Sequence, residues 1–372
     1  MAIPFVDLKA QYHDVKELID SSIQEIFESG GYVLGKYNKS LEETVANKHG
    51  VKHAIAVNSG TDALRIGMQA CDIQPGDEII TTAFTFVATV ETIVQLGAVP
   101  VFVDINPDSF DIDVSKIEAA ITPRTKAIMP IHLFGQLAQV NEIKAIAEKH
   151  GLMVFEDSAQ VIYAHHDGVY TGNWGKFAGI SYYVTKNLGA AGDGGMILTN
   201  DDEVARRSIS LRIHGMGRER YYYDEVGYTS RMAEIQAAVL VAKITKLDEW
   251  NVRRNQIAEQ YNAALADSEI NIPVTHAGNY HVWHQYTIRH ARRDELMKYL
   301  GEQGVPSAIF YPVPLHLHEP YAQFANGEGS LPITEQVSQE CLSIPVNQHL
   351  SDDQVGTIIN ALKSFVGEAS AV

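Results

Sequence analysis

Phe155-Glu156-Asp157-Ser158-Ala159-Gln160 decides how the rest of this 372-residue chain is read. The run leading into it, from Leu152, is continuously apolar, as a strand covered on both faces must be, and Asp157 closes it. A carboxylate in that setting is costly unless something cationic pairs with it. Working outward, short β-branched runs, several of them continuously apolar, recur at 54–57, 78–82, 100–105, 126–131, 177–183 and 196–199, with helical stretches between. With 152–156 that makes seven runs. Their alternation with helices predicts an α/β fold, a mainly parallel seven-stranded sheet between layers of helices.

Ahead of the sheet the pattern predicts an extended start at 3–7 and helices over 15–28 and 39–49, parted by Gly30-Gly31. After it, one long helix is expected over 231–265, followed by strands at 282–289 and 308–311 and helices over 293–303, 334–342 and 352–365. The expected organisation is a large domain over 1–250, including the helical amino-terminal segment, and a smaller α/β domain over 251–372.

Forty-six acidic against 29 basic residues give a formal charge of −17, which repels a nucleic-acid backbone. The arginine pairs at 206–207, 253–254 and 292–293 read as solvated surface charge. Cys71 and Cys341 are the only cysteines, too few for a disulfide framework or a cysteine zinc cluster. No apolar run approaches the roughly 18 residues of a membrane span, and the first residues lack the basic and apolar regions of a signal peptide. A cytoplasmic protein with neither nucleic-acid nor membrane partners is the expectation.

Three further stretches give Asp157 company. Val57-Asn58-Ser59-Gly60-Thr61-Asp62 follows one strand and opens a helix, where free amides, hydroxyls and the helix dipole favour a phosphate. Phe84-Thr85-Phe86, after the next strand, offers an aromatic face to a flat ligand. Lys186, alone an ordinary surface lysine, lies at the mouth of another strand before the glycine-rich turn Gly189 to Gly195. That turn is no dinucleotide fingerprint, because a strand follows it and the glycine order is wrong. An anion for a pyridinium nitrogen, an amine for a Schiff base and a phosphate-binding turn are together what a pyridoxal phosphate enzyme needs.

At these residues the chain resembles the DegT/DnrJ/EryC1/StrS sugar aminotransferases, fold-type I pyridoxal phosphate enzymes that aminate nucleotide-linked keto-sugars. The resemblance runs through Pro4-Phe-Val-Asp7, Tyr32-Val-Leu-Gly35, Ser59-Gly-Thr-Asp-Ala-Leu64, Glu156-Asp-Ser-Ala-Gln160, Lys186-Asn-Leu-Gly189, Gly192-Asp-Gly-Gly195, Ser230-Arg231 and Tyr311-Pro-Val-Pro-Leu-His316. It implies Lys186 as Schiff-base lysine and proton carrier, Asp157 as partner of the pyridinium nitrogen and Gln160 at the cofactor's 3-hydroxyl. It also implies Phe86 stacked on the ring, with Gly60, Thr61 and Ser181 around the phosphate. In the family a partner subunit completes the phosphate cup with an asparagine two residues before the arginine matched here to Arg231. This chain has Thr229 there, which is shorter and offers only a hydroxyl.

The same resemblance implies a homodimer with sites at the subunit interface, and L-glutamate as amino donor in ping-pong half-reactions. Some members carry histidine in place of the lysine and are dehydratases; retention of Lys186 favours transamination. Leu188-Gly-Ala-Ala-Gly-Asp-Gly-Gly195 matches the pattern more common among 3-keto than 4-keto enzymes. Arg218, Tyr311 and His316 are the candidate substrate contacts, and Ile162-Tyr-Ala-His-His166 is a departure from the family expected to reshape the sugar pocket. His165-His166 and His316-x-His318 lack further ligands at metal-binding spacing, so no metal is expected. Two other classes compete: a pyridoxal-fold protein that senses ligands without turnover, and, more weakly, a nicotinamide oxidoreductase.

Overall fold

The computed structural model describes residues 3–369. The apolar runs become β1 (His53–Val57), β2 (Glu78–Thr82), β3 (Val99–Val103), β4 (Thr125–Ile128) and β5 (Met153–Asp157); a short hairpin of β6 (His165–His166) and β7 (Val169–Tyr170) precedes β8 (Phe177–Ser181) and β9 (Gly195–Thr199). Seven of them form one sheet in the order β1-β9-β8-β5-β4-β2-β3. Neighbours from β8 to β3 are parallel, and β9 runs antiparallel to both β8 and β1. Six strands therefore point the same way, and β1, β5 and β8 end at one edge, where α/β sheets bind their ligands.

Helices cover both faces. Ahead of β1 lie α1 (Leu8–Asp14), α2 (Lys16–Ser29) and α3 (Lys36–His49); α4 (Gly60–Ala70), α5 (Ala88–Gln95), α6 (Val140–His150) and α7 (Asp202–Leu211) are interleaved with the strands. Ile66, Met68, Phe155, Phe177 and Ile197 share one apolar core on one side of the sheet, and Leu41, Val45, Ala178, Met196 and Leu240 another on the opposite side. That division explains why Ile79-Ile80, Met153-Val154-Phe155 and Met196-Ile197-Leu198 are apolar at consecutive positions.

The predicted single helix over 231–265 is two, α8 (Glu234–Ile244) and α9 (Leu247–Leu265). Neither Gly nor Pro marks the break. The chain turns because its partners change: Leu240 and Leu247 pack beneath the sheet, whereas Ile257, Tyr261 and Leu265 enter a separate carboxyl-terminal core. That core is built on β11 (Tyr286–Arg289) and β12 (Cys341–Ile344), antiparallel partners, with α10 (Arg293–Glu302), α11 (Pro332–Glu340) and α12 (Asp352–Ala369) around them; β10 (Asn279–Tyr280) pairs instead with β6. Tyr261 is fully buried there, its hydroxyl donating to the Pro345 carbonyl at 2.7 Å. Burial of each such large side chain contributes about 1.5–3 kcal/mol.

Other boundaries differ from the sequence reading. Helix α11 stops at Glu340, so Leu342, expected at a helix end, lies in β12. The strand expected over 282–289 begins only at Tyr286, because the Val282 and Gln285 amides donate to the carbonyls of Gly135 and Phe134. Residues 308–311 contribute a single bridge, Ala308 to Ser343. Among the described residues no helix is long and apolar enough to cross a membrane.

Candidate active site

The sheet edge where β1, β5 and β8 end opens into a cavity of about 500 Å³. Its lining includes Ser59, Gly60, Thr61, Phe86, Thr89, Asp157, Gln160, Ser181, Lys186, His284 and Tyr311. Such a volume suits a small-molecule site.

Asp157 and Glu156, the last two residues of β5, project to opposite faces. Glu156, fully buried, is consumed by protein donors. Its Oε1 accepts the Gly172, Trp174 and Gly175 amides, each at 3.1 Å, and its Oε2 accepts the Thr171 hydroxyl at 2.8 Å. His132 Nδ1 accepts the Ala138 amide at 3.1 Å, so its Nε2 carries the hydrogen and donates to Glu156 Oε2 at 3.2 Å. Among the described residues Asp157 accepts only the Thr89 hydroxyl on Oδ2 at 2.6 Å and the Ala159 amide on Oδ1 at 3.2 Å. Burial raises its pKa, and those hydrogen bonds and Lys186 pull the other way.

Lys186 follows the end of β8 in a turn closed by its own amide on the Tyr183 carbonyl at 2.8 Å. Burial holds its amine down to about 8, opposed by the Asp157 carboxylate. An amine in that range is partly neutral near physiological pH, which a nucleophile requires. At another side of the cavity Ser59 caps α4, accepting the Asp62 amide at 3.1 Å, and Gly60 is the first helical residue. A Cβ on Gly60 would lie 2.7 Å from the Ser181 Cβ, so only glycine lets the helix start and the end of β8 meet. Gly60, Thr61 and Ser181 thus bring amides, the helix dipole and hydroxyls to one place.

Gln160 accepts the Phe134 amide at 2.6 Å on Oε1 and donates through Nε2 to the Tyr311 hydroxyl at 3.3 Å. The Phe86 and Tyr311 rings lie 6.5 Å apart, and Phe86 is 57% exposed.

Other sequence candidates lie elsewhere. Thr229 is exposed and bonded to His214 at 3.1 Å, outside the cavity lining. Arg218 is exposed beside a second depression that includes Arg206, Met216 and Tyr222. His316 does not reach the cavity: it is fully buried, with Nε2 3.0 Å from Glu335, because the turn carrying it tucks inward. None of residues 162–166 lines the cavity; Ile162 and Tyr163 are buried under the sheet and His165-His166 form β6. Conversely, Thr89 and His284 are cavity residues that sequence reading missed. Thr89 was signalled only by its helical spacing from Thr85, to which it is bonded at 3.0 Å. Nothing local marks His284.

These residues fit pyridoxal phosphate. The α4 start and Ser181 suit a phosphate, Asp157 retains lone pairs for a cationic ring nitrogen, and Lys186 offers an amine to a carbonyl. Among the described residues no cluster of His, Cys, Asp and Glu is arranged to hold a metal.

Comparison with known proteins agrees. The DegT/DnrJ/EryC1/StrS aminotransferase family model matches residues 13–363. The chain is 45% identical over 368 residues to the pleiotropic regulatory protein of Geobacillus stearothermophilus, covering 98% of this chain and 99% of that one. It is 40% identical over 362 residues to a UDP-N-acetyl-3-dehydro-alpha-D-glucosamine 3-aminotransferase of Acidithiobacillus ferrooxidans, covering 97% of each. The crystal structure of DesV from S. venezuelae superposes with a TM-score of 0.95 at 39% identity, covering 98% of both chains. The chain belongs to the DegT/DnrJ/EryC1/StrS aminotransferase family of pyridoxal-phosphate-dependent enzymes.

Proposed function

We propose that the protein transfers an amino group from an amino acid, L-glutamate by preference, to a nucleotide-linked keto-deoxysugar, at C3 rather than C4, in ping-pong half-reactions. The observation that carries this reading is the joint placement of the Lys186 amine and the open Asp157 carboxylate in one cavity. When bound, pyridoxal phosphate supplies an electron-withdrawing ring and a carbonyl that accepts an amino group from one substrate and yields it to the next. Asp157 would keep the ring nitrogen cationic, Lys186 would carry a proton, and Gly60, Thr61 and Ser181 would hold the phosphate. Gln160 would meet the 3-hydroxyl, Phe86 would cover the ring and Tyr311 would meet the substrate.

Regiochemistry at C3 is supported by Leu188 to Gly195 and by the 3-aminotransferase of A. ferrooxidans. A homodimer, with Thr229 reaching a neighbour's phosphate site and the loop around Arg218 close to the sugar, is supported by exposed apolar residues at Phe27, Tyr32, Val33 and Phe86. The setting is cytoplasmic synthesis of a surface polysaccharide or a glycosylated metabolite, with domains over 1–250 and 251–372. Sensing without turnover is the second reading, favoured by the likeness to the pleiotropic regulatory protein of Geobacillus stearothermophilus; the intact Lys186–Asp157 pair favours turnover.

The test is the visible absorbance of cofactor bound to the purified protein and its response to L-glutamate. The band should be present, change on adding L-glutamate and be absent from Lys186→Ala. Its persistence in Lys186→Ala sinks the assignment.

A further inference from the structure

His284, between β10 and β11, lines the cavity and has been given no role above. Its protonation follows from its neighbours. The Asn187 side-chain amide donates through Nδ2 to Asn251 Oδ1 at 3.1 Å and to the Val282 carbonyl at 2.8 Å, so both its hydrogens are used and its Oδ1 is an acceptor. His284 Nδ1 lies 3.2 Å from that oxygen and must therefore carry the hydrogen. Burial, with the cations of Lys186 and Arg254 nearby, keeps the ring well below its usual pKa and hence neutral. A neutral imidazole protonated at Nδ1 bears a lone pair at Nε2. That atom has no hydrogen-bond partner among the described residues, is not among the unpartnered atoms sealed inside the protein, and belongs to a ring lining the cavity.

An acceptor that cannot become a donor selects its ligand. It repels phosphate and carboxylate oxygens, so it serves neither the cofactor's phosphate nor the carboxylates of an amino donor. It rewards an O–H, and the reactant with hydroxyls beside its reacting carbon is the sugar. We propose that His284 is a specificity-determining residue whose Nε2 accepts a hydrogen bond from a sugar hydroxyl adjacent to the carbonyl that receives the amino group. The inference rests on the aminotransferase reading above. It adds a division of labour: anion-binding donors at the α4 start, and a bare acceptor at the sugar. Asn187, next to Lys186 in the chain, is its positioning residue, because its amide fixes which nitrogen is bare.

The experiment uses the holoenzyme, with UDP-N-acetylglucosamine as sugar probe and the L-glutamate half-reaction as internal control. Histidine ¹⁵N spectra between pH 6 and 8 should show His284 protonated on Nδ1 and not titrating, with Nε2 shifting when the probe binds. His284→Leu should weaken the probe about tenfold and leave the L-glutamate dependence of the spectral change unaltered, while His284→Gln, which retains an acceptor oxygen, recovers part of the loss. A hydrogen on Nε2, no binding of the probe, unchanged affinity in His284→Leu, or equal weakening towards both ligands would each overturn the proposal. If the wild type itself does not react with L-glutamate, the aminotransferase reading fails. If it does and the probe ignores His284, only the present inference fails.

Discussion

Glu156 and Asp157 are adjacent carboxylates at the end of one strand, and the two faces of the sheet treat them oppositely. Below, the Gly172, Trp174 and Gly175 amides, Thr171 and His132 converge on Glu156 and consume its lone pairs. Above, Asp157 receives one hydroxyl and one amide and opens on the cavity. Burial alone does not separate a structural joint from a binding group. What the protein leaves unsatisfied does.

The comparison predicts opposite consequences for the two residues. Glu156→Ala strands several buried donors and should cost about 3–5 kcal/mol of stability in urea unfolding. A variant as stable as the wild type would break the account of the lower face. Asp157→Asn should retain near-wild-type stability, since it removes a buried charge, but lose about 10²–10³-fold in turnover, comparable to deleting one preorganised electrostatic group. If it unfolds instead, the two carboxylates share one role. Thr89→Val, which removes the shorter of the two hydrogen bonds on Asp157, should lower turnover about tenfold, within the range for a bond to a charged group; no change would leave Thr89 a bystander.

A further effect concerns pH. The amine of Lys186 is held at about 8, against 10.5 for a free lysine. Between these values the unfolded chain binds more protons than the folded one, so this group makes the cofactor-free protein gain stability as pH rises from 8 towards 10.5. Lys186→Met should therefore stabilise the cofactor-free protein below pH 8, with the advantage fading above it. A difference that does not vary with pH would place the amine in water.

Much of the upper face was legible in the sequence because it is local. Asp157 ends an apolar run, Gly60 starts a helix after a strand, and Lys186 precedes a glycine-rich turn; each is a boundary between patterns of different period. The sheet was legible for the same reason, because strands covered on both faces carry consecutive apolar residues. The misses are non-local. The break between α8 and α9 comes from a change of packing partner, and β12 is a four-residue run whose identity depends on pairing with β11. His284 reaches the cavity from a segment nearly 100 residues after Lys186, held by Asn187. His316 shows the converse, a motif residue whose position in a turn gives no hint that its ring points inward onto Glu335.

Lys243 provides the sharpest control for the central claim. Like Lys186 it is a buried amine held down to about 8 by its surroundings, but its Nζ donates to the Gly189 carbonyl at 2.8 Å and to Gln11 at 3.2 Å, and it does not line the cavity. Borohydride reduction of the pyridoxal phosphate holoenzyme, followed by peptide mapping, asks which amine the cofactor chooses. The account predicts the cofactor's mass on the peptide carrying Lys186 and none on that carrying Lys243; label on Lys243, or on no lysine, would contradict it.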